Sequence, residues 1–188
     1  MNLGKNPVLL IIDVQKAFED LKWGTRNNLD AEEKISSLLD MWRERDYPVI
    51  HVQHLSQSET SPLRPGQPGC EFKDEVKPLA GEKVIQKRVN SAFIGTELES
   101  YLRENQFDKL VICGLTTNHC VSTTTRMAGN LGFNTFLVAD GTATFNRKNY
   151  DGQEFSADEV HEISLANLHK EFATVVTMAD IVQKINNK

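Results

Sequence analysis

The pattern of hydrophobic and polar positions predicts short apolar strands that alternate with amphipathic helices. Residues 8–14 read Val-Leu-Leu-Ile-Ile-Asp-Val, and a strand that is apolar on both faces is typical of the centre of a parallel sheet covered by helices on both sides. Apolar runs predict five further strands, at 49–52, 83–86, 110–113, 134–139 and 173–177.

Apolar residues at helical spacing predict helices in the segments between the strands. Three residue pairs have the spacing of a capping box, which marks a helix start: Asp30 with Glu33, Thr96 with Glu99, and Ser156 with Glu159. Another helix is predicted to contain Cys120 in its first turn and to run to Leu131. Strands alternating with helices predict an α/β fold, which is a single doubly wound domain over 1–188. Its six-stranded parallel sheet has the order 3-2-1-4-5-6 and carries helices on both faces.

Composition narrows the classes of function. The 188 residues carry a net charge of −5, which argues against a nucleic-acid surface. No apolar run reaches the roughly 20 residues of a membrane span. Three cysteines without a C-x-x-C pair, and an N-terminus that leads straight into a strand, predict a cytoplasmic protein without a signal peptide. The expected partner is a small-molecule substrate.

Candidate chemistry lies at the ends of three predicted strands. Asp13 closes the first strand, Lys87 follows the third, and Cys120 lies just beyond the fourth. Because the carboxyl ends of parallel strands share one edge, these side chains are expected to converge. Taken singly, Asp13 is equally well explained by hydrogen bonds to nearby backbone N–H groups, and Cys120 by burial at a strand–helix junction. Their combination favours a nucleophilic site.

The residue types suggest distinct roles. A helix start and a nearby ammonium favour a thiolate, so the pKa of Cys120 is expected below the ordinary ~8.5. Lys87 supplies the positive charge, and Asp13 relays protons between thiol, leaving amine and water. The backbone N–H groups of Thr116 and Cys120 are candidates for an oxyanion hole.

The motifs around these residues resemble those of the isochorismatase-like cysteine hydrolases. They are Leu-Ile-Ile-Asp-Val-Gln around Asp13, Val-Ile-Gln-Lys-Arg-Val-Asn-Ser-Ala-Phe around Lys87, and Cys-Gly-Leu-Thr-Thr-Asn-His-Cys-Val ending just past Cys120. Two further stretches add to the likeness: Arg-Pro-Gly-Gln-Pro-Gly-Cys-Glu in the long 55–75 loop, and Ala-Asp-Gly-Thr-Ala-Thr-Phe after the fifth strand. The resemblance implies an Asp13–Lys87–Cys120 triad, a cis peptide between Leu115 and Thr116, and a homo-oligomer, a dimer or larger.

The chain departs from the nicotinamidases of that family, which hold a metal through an Asp and two His residues. His54 stands at the position that resembles the Asp, and Ser56 stands where the next ligand would be. His51 and His54 are three residues apart on a predicted strand and so face opposite sides. We therefore expect no metal and no cofactor. The first strand also lacks the glycine-rich turn that binds a dinucleotide.

Aromatic and basic side chains are further candidates for the substrate pocket. Aromatic side chains of Phe18, Trp23, Phe93 and Tyr150 are expected to form apolar walls, or else to pack between subunits. His54 is expected as a pocket wall or hydrogen-bond partner. His119 either lines the pocket or faces solvent, and His161 and His169 are expected at solvent or at a partner chain. Three arginines either meet an acidic substrate or are solvated: Arg64, Arg88 and Arg147.

The sequence thus predicts a metal-independent hydrolase that cleaves an amide-type C–N bond through a thioester on Cys120. Two alternatives stay open. One is isochorismatase-type hydrolysis of a vinyl ether by Asp13 and Lys87, which needs no cysteine. The other is a binding protein that keeps the fold without its chemistry.

Overall fold

A six-stranded parallel sheet forms the centre of the computed structural model, which describes residues 2–186. The strands along the chain are β1 (Val8–Ile12), β2 (Val49–His54), β3 (Lys83–Lys87), β4 (Lys109–Leu115), β5 (Asn134–Ala143), β6 (Arg147–Lys148), β7 (Glu154–Phe155) and β8 (Thr174–Val176). The sheet has the order β3-β2-β1-β4-β5-β8, while β6 and β7 form a separate hairpin. Because that hairpin lies outside the sheet, the predicted order 3-2-1-4-5-6 is confirmed.

Helices cover both faces of the sheet, as the all-apolar first strand predicts. They are α1 (Ala31–Arg43), α2 (Leu98–Glu104), α3 (Ser122–Asn130), α4 (Ala157–Leu168) and α5 (Met178–Asn186). Val8, Leu10 and Ile12 of β1 pack with α2, α3 and α4. Leu9 and Ile11, which alternate with them, pack with α1 and α5. None of the helices in 2–186 is both long and apolar enough to cross a membrane.

Only one of the three predicted capping boxes forms. Ser156 and Glu159 make both reciprocal bonds at the start of α4. At α1 the side chain of Asp30 makes no capping bond, and its carboxylate pairs with Lys34 at 2.9 Å instead. At α2 the residue before the helix is Glu97; the Thr96 hydroxyl still accepts from the Leu98 N–H at 3.3 Å, but the carboxylate of Glu99 pairs with Arg103 at 3.5 Å, so the reciprocal box does not form. Competing partners and a shifted helix start therefore explain the two failures.

Gly114 lies inside β4 instead of ending it, because the strand continues to Leu115. Its φ is +122°, and a Cβ built there would lie 2.1 Å from the carbonyl oxygen of Ile12. Only glycine allows β1 and β4 to approach this closely at their carboxyl ends. The next peptide bond, Leu115–Thr116, is cis, as the family resemblance implies.

Glu32, in the first turn of α1, joins two loops at the carboxyl edge of the sheet. Its carboxylate accepts hydrogen bonds from the Arg26 guanidinium (Oε1 to Nη1, 2.7 Å) and the Lys73 ammonium (Oε1 to Nζ, 2.8 Å), and all three side chains are largely buried. The backbone of Arg26 bridges to Phe145, and that of Lys73 bonds to Val14. Burial alone would raise the pKa of Glu32, but the bonds from Arg26 and Lys73 outweigh it and lower the pKa.

Replacement of Glu32 by Gln is expected to lower the free energy of unfolding by about 3 kcal/mol, because two largely buried cations lose their counter-charge. The matched control is Glu33→Gln, one residue along on the exposed side of α1, which should change stability little. A carboxylate with a lowered pKa stabilises the fold above its unfolded pKa, and this contribution is lost as the pH falls through the folded pKa. The difference between Glu32→Gln and wild type should therefore shrink below about pH 4. Denaturant titrations at neutral and acid pH measure it, and equal stability of both variants at neutral pH would contradict the assignment.

Candidate active site

Asp13 occupies the first position after β1, where the chain turns sharply. Its φ of +50° is a left-handed conformation that Asp tolerates better than most residues. Its backbone N–H donates to the carbonyl of Val52 at 3.0 Å, which ties the turn to the neighbouring strand. The side chain is fully buried at the carboxyl edge of the sheet.

Lys87, the last residue of β3, supplies the counter-charge of Asp13. Its side chain is buried, and Nζ lies 2.7 Å from Oδ2 of Asp13. Burial raises the pKa of Asp13, while the charge of Lys87 and its hydrogen bond oppose the rise. The pair is thus an ion pair in a site of low polarity, where each charge depends on the other.

Cys120 lies in a π-helical turn, Thr117–Val121, that precedes α3. Its Sγ is 3.3 Å from Nζ of Lys87. Burial and the charge of Asp13 raise the pKa of the thiol to about 12, and Lys87 only partly offsets them. The expectation of a lowered pKa is therefore wrong. The sequence indicated both the ammonium and the carboxylate, but not that burial and the carboxylate together outweigh the ammonium in setting the pKa of the thiol.

The structure brings together all three side chains that the sequence placed at one edge. Ligand-type atoms of Asp13, Cys120 and His54 all lie within 4.8 Å of one another. A protonated thiol beside a carboxylate can lose its proton to that carboxylate when sulfur attacks an electrophile. The ammonium of Lys87 then stabilises the negative charge on sulfur.

Asp13 and Cys120 line a cavity of about 290 Å³, while Lys87 is buried behind them and is not among its lining residues. Predicted residues that line it are Asp13, Phe18, Trp23, His54, Thr116, His119 and Cys120. Four more lining residues were not assigned to a substrate pocket from the sequence: Leu63, Asn90, Thr144 and Phe145. Arg147 also lines the cavity; for it the sequence allowed either contact with an acidic substrate or solvation. Asn90 and Phe145 nevertheless fall within motifs that carry the family resemblance, so the motifs themselves were a signal for them.

Three aromatic rings form one wall of the cavity. The ring centroids of Phe18 and Trp23 are 5.4 Å apart, those of Phe18 and Phe145 are 6.3 Å apart, and those of Trp23 and Phe145 are 6.0 Å apart. The indole Nε1 of Trp23 donates to the carbonyl of Ala17 at 2.8 Å, which fixes the ring. The wall is therefore apolar, and the packing of its rings and this hydrogen bond hold it in place.

Two predicted pocket residues lie elsewhere. Phe93 packs against the core and stacks on Phe133 with ring centroids 5.8 Å apart. Tyr150 is fully exposed beside the β6–β7 hairpin. Sequence position alone could not separate them from Phe18 and Trp23, because the distinction depends on which way each loop folds back over the sheet.

Arg147 and His119 meet at the mouth of the cavity. Nη2 of Arg147 lies 2.6 Å from Nε2 of His119, and Oγ1 of Thr116 lies 3.1 Å from Nδ1. Burial and the charge of Arg147 lower the pKa of His119, so its imidazole is neutral at pH 7. Among the described residues that line the cavity, Asp13 and Arg147 carry charge, and Arg147 is the exposed one.

His161 is buried in α4, which corrects the expectation that it faces solvent or a partner chain. Its Nδ1 lies 2.9 Å from Oγ1 of Thr117, the first residue of the turn that contains Cys120. Its Nε2 lies 3.4 Å from Nδ2 of Asn28. The weak apolar pattern of α4 gave no sign that this histidine belongs to its inner face.

The donor types of Asp13, His54 and Cys120 are those that bind a transition metal. Lys87, however, bonds to Asp13 and His54 and approaches Cys120, so its ammonium already occupies the position that such an ion would need. His51 points away and bonds to Glu82 at 2.9 Å. The three side chains therefore suit the ammonium group of Lys87 better than a metal ion. That the protein binds no metal remains a prediction.

Comparison with known proteins places the chain in a family. A model of the isochorismatase domain matches residues 7–180. The isochorismatase family protein YrdC of Bacillus subtilis is 51% identical, covering 93% of each chain. A hydrolase of the isochorismatase family from Chromobacterium violaceum, known from its crystal structure, is 48% identical in sequence. The two folds superpose with a TM-score of 0.97, over 100% of this chain and 98% of that one.

Two more distant relatives have names that state a reaction. Nicotinamidase 3 of Arabidopsis thaliana is 28% identical over 92% of this chain and 85% of its own length. Maleamate amidohydrolase of Pseudomonas putida is 25% identical over 100% of this chain and 90% of its own length. On the domain match, the sequence identities and the shared fold, the chain belongs to the isochorismatase family of hydrolases.

Proposed function

We propose that the protein is a metal-independent cysteine hydrolase that cleaves an amide-type C–N bond of a small molecule through a thioester. The observation that carries the proposal is the meeting of Cys120, Lys87 and Asp13 beside a cavity that Cys120 and Asp13 line. A thiol alone is common and unreactive when buried. A thiol with a proton acceptor and a cation beside it has what acyl transfer requires.

In the first half-reaction the sulfur of Cys120 attacks the amide carbon while its proton passes to Asp13. The negative charge that develops on the carbonyl oxygen is held by the backbone N–H groups of Thr116 and Cys120, each worth about 3–4 kcal/mol in comparable sites. Asp13 then gives the proton to the amine nitrogen as the C–N bond breaks. The products of this step are a thioester on Cys120 and a free amine.

In the second half-reaction water enters the position that the amine has left. Asp13 takes a proton from this water, and the oxygen attacks the thioester carbon. The C–S bond breaks, the carboxylic acid leaves, and the proton on Asp13 returns to the sulfur. Lys87 keeps its proton throughout and stabilises the sulfur whenever it is negative.

The cavity suggests which amides fit. Its volume of about 290 Å³ and its aromatic wall suit a compact acyl group with a flat or apolar body. The guanidinium of Arg147 at the mouth favours an anionic end. The two relatives named for amide hydrolysis support this reaction type for the present chain. A homo-oligomer and a cytoplasmic location remain part of the proposal.

Cys120→Ala is expected to lower turnover of a small amide by at least ~10³-fold while leaving the melting temperature nearly unchanged. Mass spectrometry of the wild-type protein quenched during turnover should show the acyl group on Cys120. Cys113→Ala, which alters a cysteine buried in the core, is the control and should keep the activity. Undiminished amide hydrolysis by the Cys120→Ala variant would show that Cys120 is not the nucleophile. Vinyl ether hydrolysis that survives in that variant would favour the isochorismatase-type reaction instead.

Asp13→Asn is expected to have opposite effects on turnover and on thiol reactivity. Turnover should fall by about 10²–10⁴-fold, because the amide cannot accept the proton. The pKa of Cys120 should fall, because a negative charge that raises it is gone, so alkylation of Cys120 by iodoacetamide at neutral pH should become faster. Alkylation rates followed from about pH 6 to pH 10 measure the shift. A slower alkylation than in wild type would contradict the proposed relation of the two groups.

Arg147→Gln is expected to raise KM roughly tenfold for the monoamide of a four-carbon dicarboxylic acid, because one charge-assisted contact is worth about 1.4 kcal/mol in binding. The neutral diamide of the same acid should be affected little. Arg64→Gln, which changes an exposed arginine outside the cavity lining, is the matched control. Equal changes of KM for the acid and the diamide would show that Arg147 does not recognise the anionic end.

A further inference from the structure

His54, at the end of β2, lies directly beside Lys87 at the end of β3. The two residues are paired in the register of the sheet. Nδ1 of His54 is 2.8 Å from Nζ of Lys87, a hydrogen bond nearly as short as the 2.7 Å ion pair with Asp13. The imidazole also lines the cavity. Its position therefore links the buried ammonium to the substrate pocket.

The ammonium of Lys87 has three N–H donors and four neighbouring acceptors. Oδ2 of Asp13 at 2.7 Å and Nδ1 of His54 at 2.8 Å are the near ones. The carbonyl oxygen of Val89 at 3.2 Å and Sγ of Cys120 at 3.3 Å are farther away. Hydrogen-bond geometry is met toward His54, Val89 and Cys120, so the three N–H groups are divided among these, and Oδ2 of Asp13 is an ion-pair partner.

The donor set also determines the protonation of His54. An ammonium can only donate, so Nδ1 must carry a lone pair. Burial and the charge of Lys87 lower the pKa of His54 to about 4, so the ring is neutral at pH 7 and its proton is on Nε2. A neutral acceptor holds the ammonium without adding a second negative charge, which would raise the pKa of Cys120 further.

We propose that His54 is a positioning residue that, by accepting one N–H of Lys87, directs another N–H toward the sulfur of Cys120 as the thiol loses its proton. The proposal rests on the proposed function, because it assigns to Cys120 the nucleophile and to Lys87 the stabilising charge. It adds a fourth residue to the catalytic arrangement, acting through Lys87 and without contact to the reacting atoms.

Three substitutions separate the two nitrogens of the ring. In His54→Asn, the amide oxygen is two bonds from Cβ, as Nδ1 is in histidine. It can therefore accept the same hydrogen bond from Lys87. In His54→Gln the amide lies instead at the distance of Nε2, toward the cavity. His54→Leu offers no acceptor at either position. Positioning through Lys87 is rescued by Asn, whereas a direct substrate contact through Nε2 is rescued by Gln.

The first measurement is the rate of Cys120 alkylation by iodoacetamide against pH, with Cys120→Ala as the blank and thermal melting as the test of folding. Leu is expected to raise the pKa of Cys120 by about one unit, which slows alkylation roughly tenfold at neutral pH. The alkylation rate of the Asn variant should stay within about threefold of that of wild type, and the Gln variant should be slowed as much as the Leu variant. Should the Leu variant not fold, the contrast between Asn and Gln makes the same test.

The second measurement is steady-state hydrolysis of a small amide. The expected change is a loss in kcat for Leu and Gln, with KM nearly constant and with recovery in Asn. Wild-type alkylation rates in the Leu and Gln variants, or rescue by Gln together with a change confined to KM, would overturn the proposal. Alkylation needs no substrate, so the two proposals can fail separately. If the variants show the expected order of alkylation rates but the wild-type protein hydrolyses no amide, the proposed function is refuted and the positioning role of His54 stands.

Discussion

The buried ion pair between Asp13 and Lys87 is the interaction on which the site depends. Moving two charges out of water costs several kcal/mol each, and only a close pair with further hydrogen bonds offsets that cost. The two residues are more than seventy positions apart in the chain and lie on strands separated by β2. The pairing of Ile12 with Val52, and of His54 with Lys87, sets their relative height at the edge of the sheet. The fold therefore has to be correct before the charges can meet.

Burial and this ion pair together determine the protonation of the thiol. If Lys87 alone faced Cys120, its charge would favour a thiolate at neutral pH. Because the site is buried and the charge of Lys87 is shared with Asp13, burial and the carboxylate outweigh the ammonium, and the thiol keeps its proton. A resting thiol is less prone to oxidation and alkylation than a thiolate. The nucleophile then forms only where a substrate carbonyl receives the sulfur's electrons and Asp13 receives its proton.

The sequence predicted the parts of the fold that depend on periodicity. The all-apolar first strand correctly indicated helices on both faces of the sheet, and strand ends correctly indicated which polar side chains converge. Local signals without a tertiary context were less reliable. Asp30 has the spacing of a capping residue yet pairs with Lys34, since a side chain bonds to whichever partner the fold brings near.

The pocket was harder to predict than the triad for a physical reason. Asp13 and Lys87 lie at strand ends that the sheet fixes, and Cys120 lies in the short turn that follows β4. Phe18, Trp23 and Arg147 lie in or beside loops, whose paths depend on long-range contacts such as those of Glu32 with Arg26 and Lys73. The sequence could therefore name aromatic candidates without separating Trp23, which lines the cavity, from Tyr150, which is exposed.

The protonation state of the resting thiol tests the central claim most directly. The ultraviolet absorbance of the thiolate, taken as the difference between wild type and Cys120→Ala, reports that state across the pH range without any substrate. The account predicts no thiolate band at neutral pH and a rise only in strongly alkaline solution, toward the pKa of about 12. A thiolate band that is fully developed at or below about pH 7 would contradict it, because Lys87 would then outweigh both burial and Asp13.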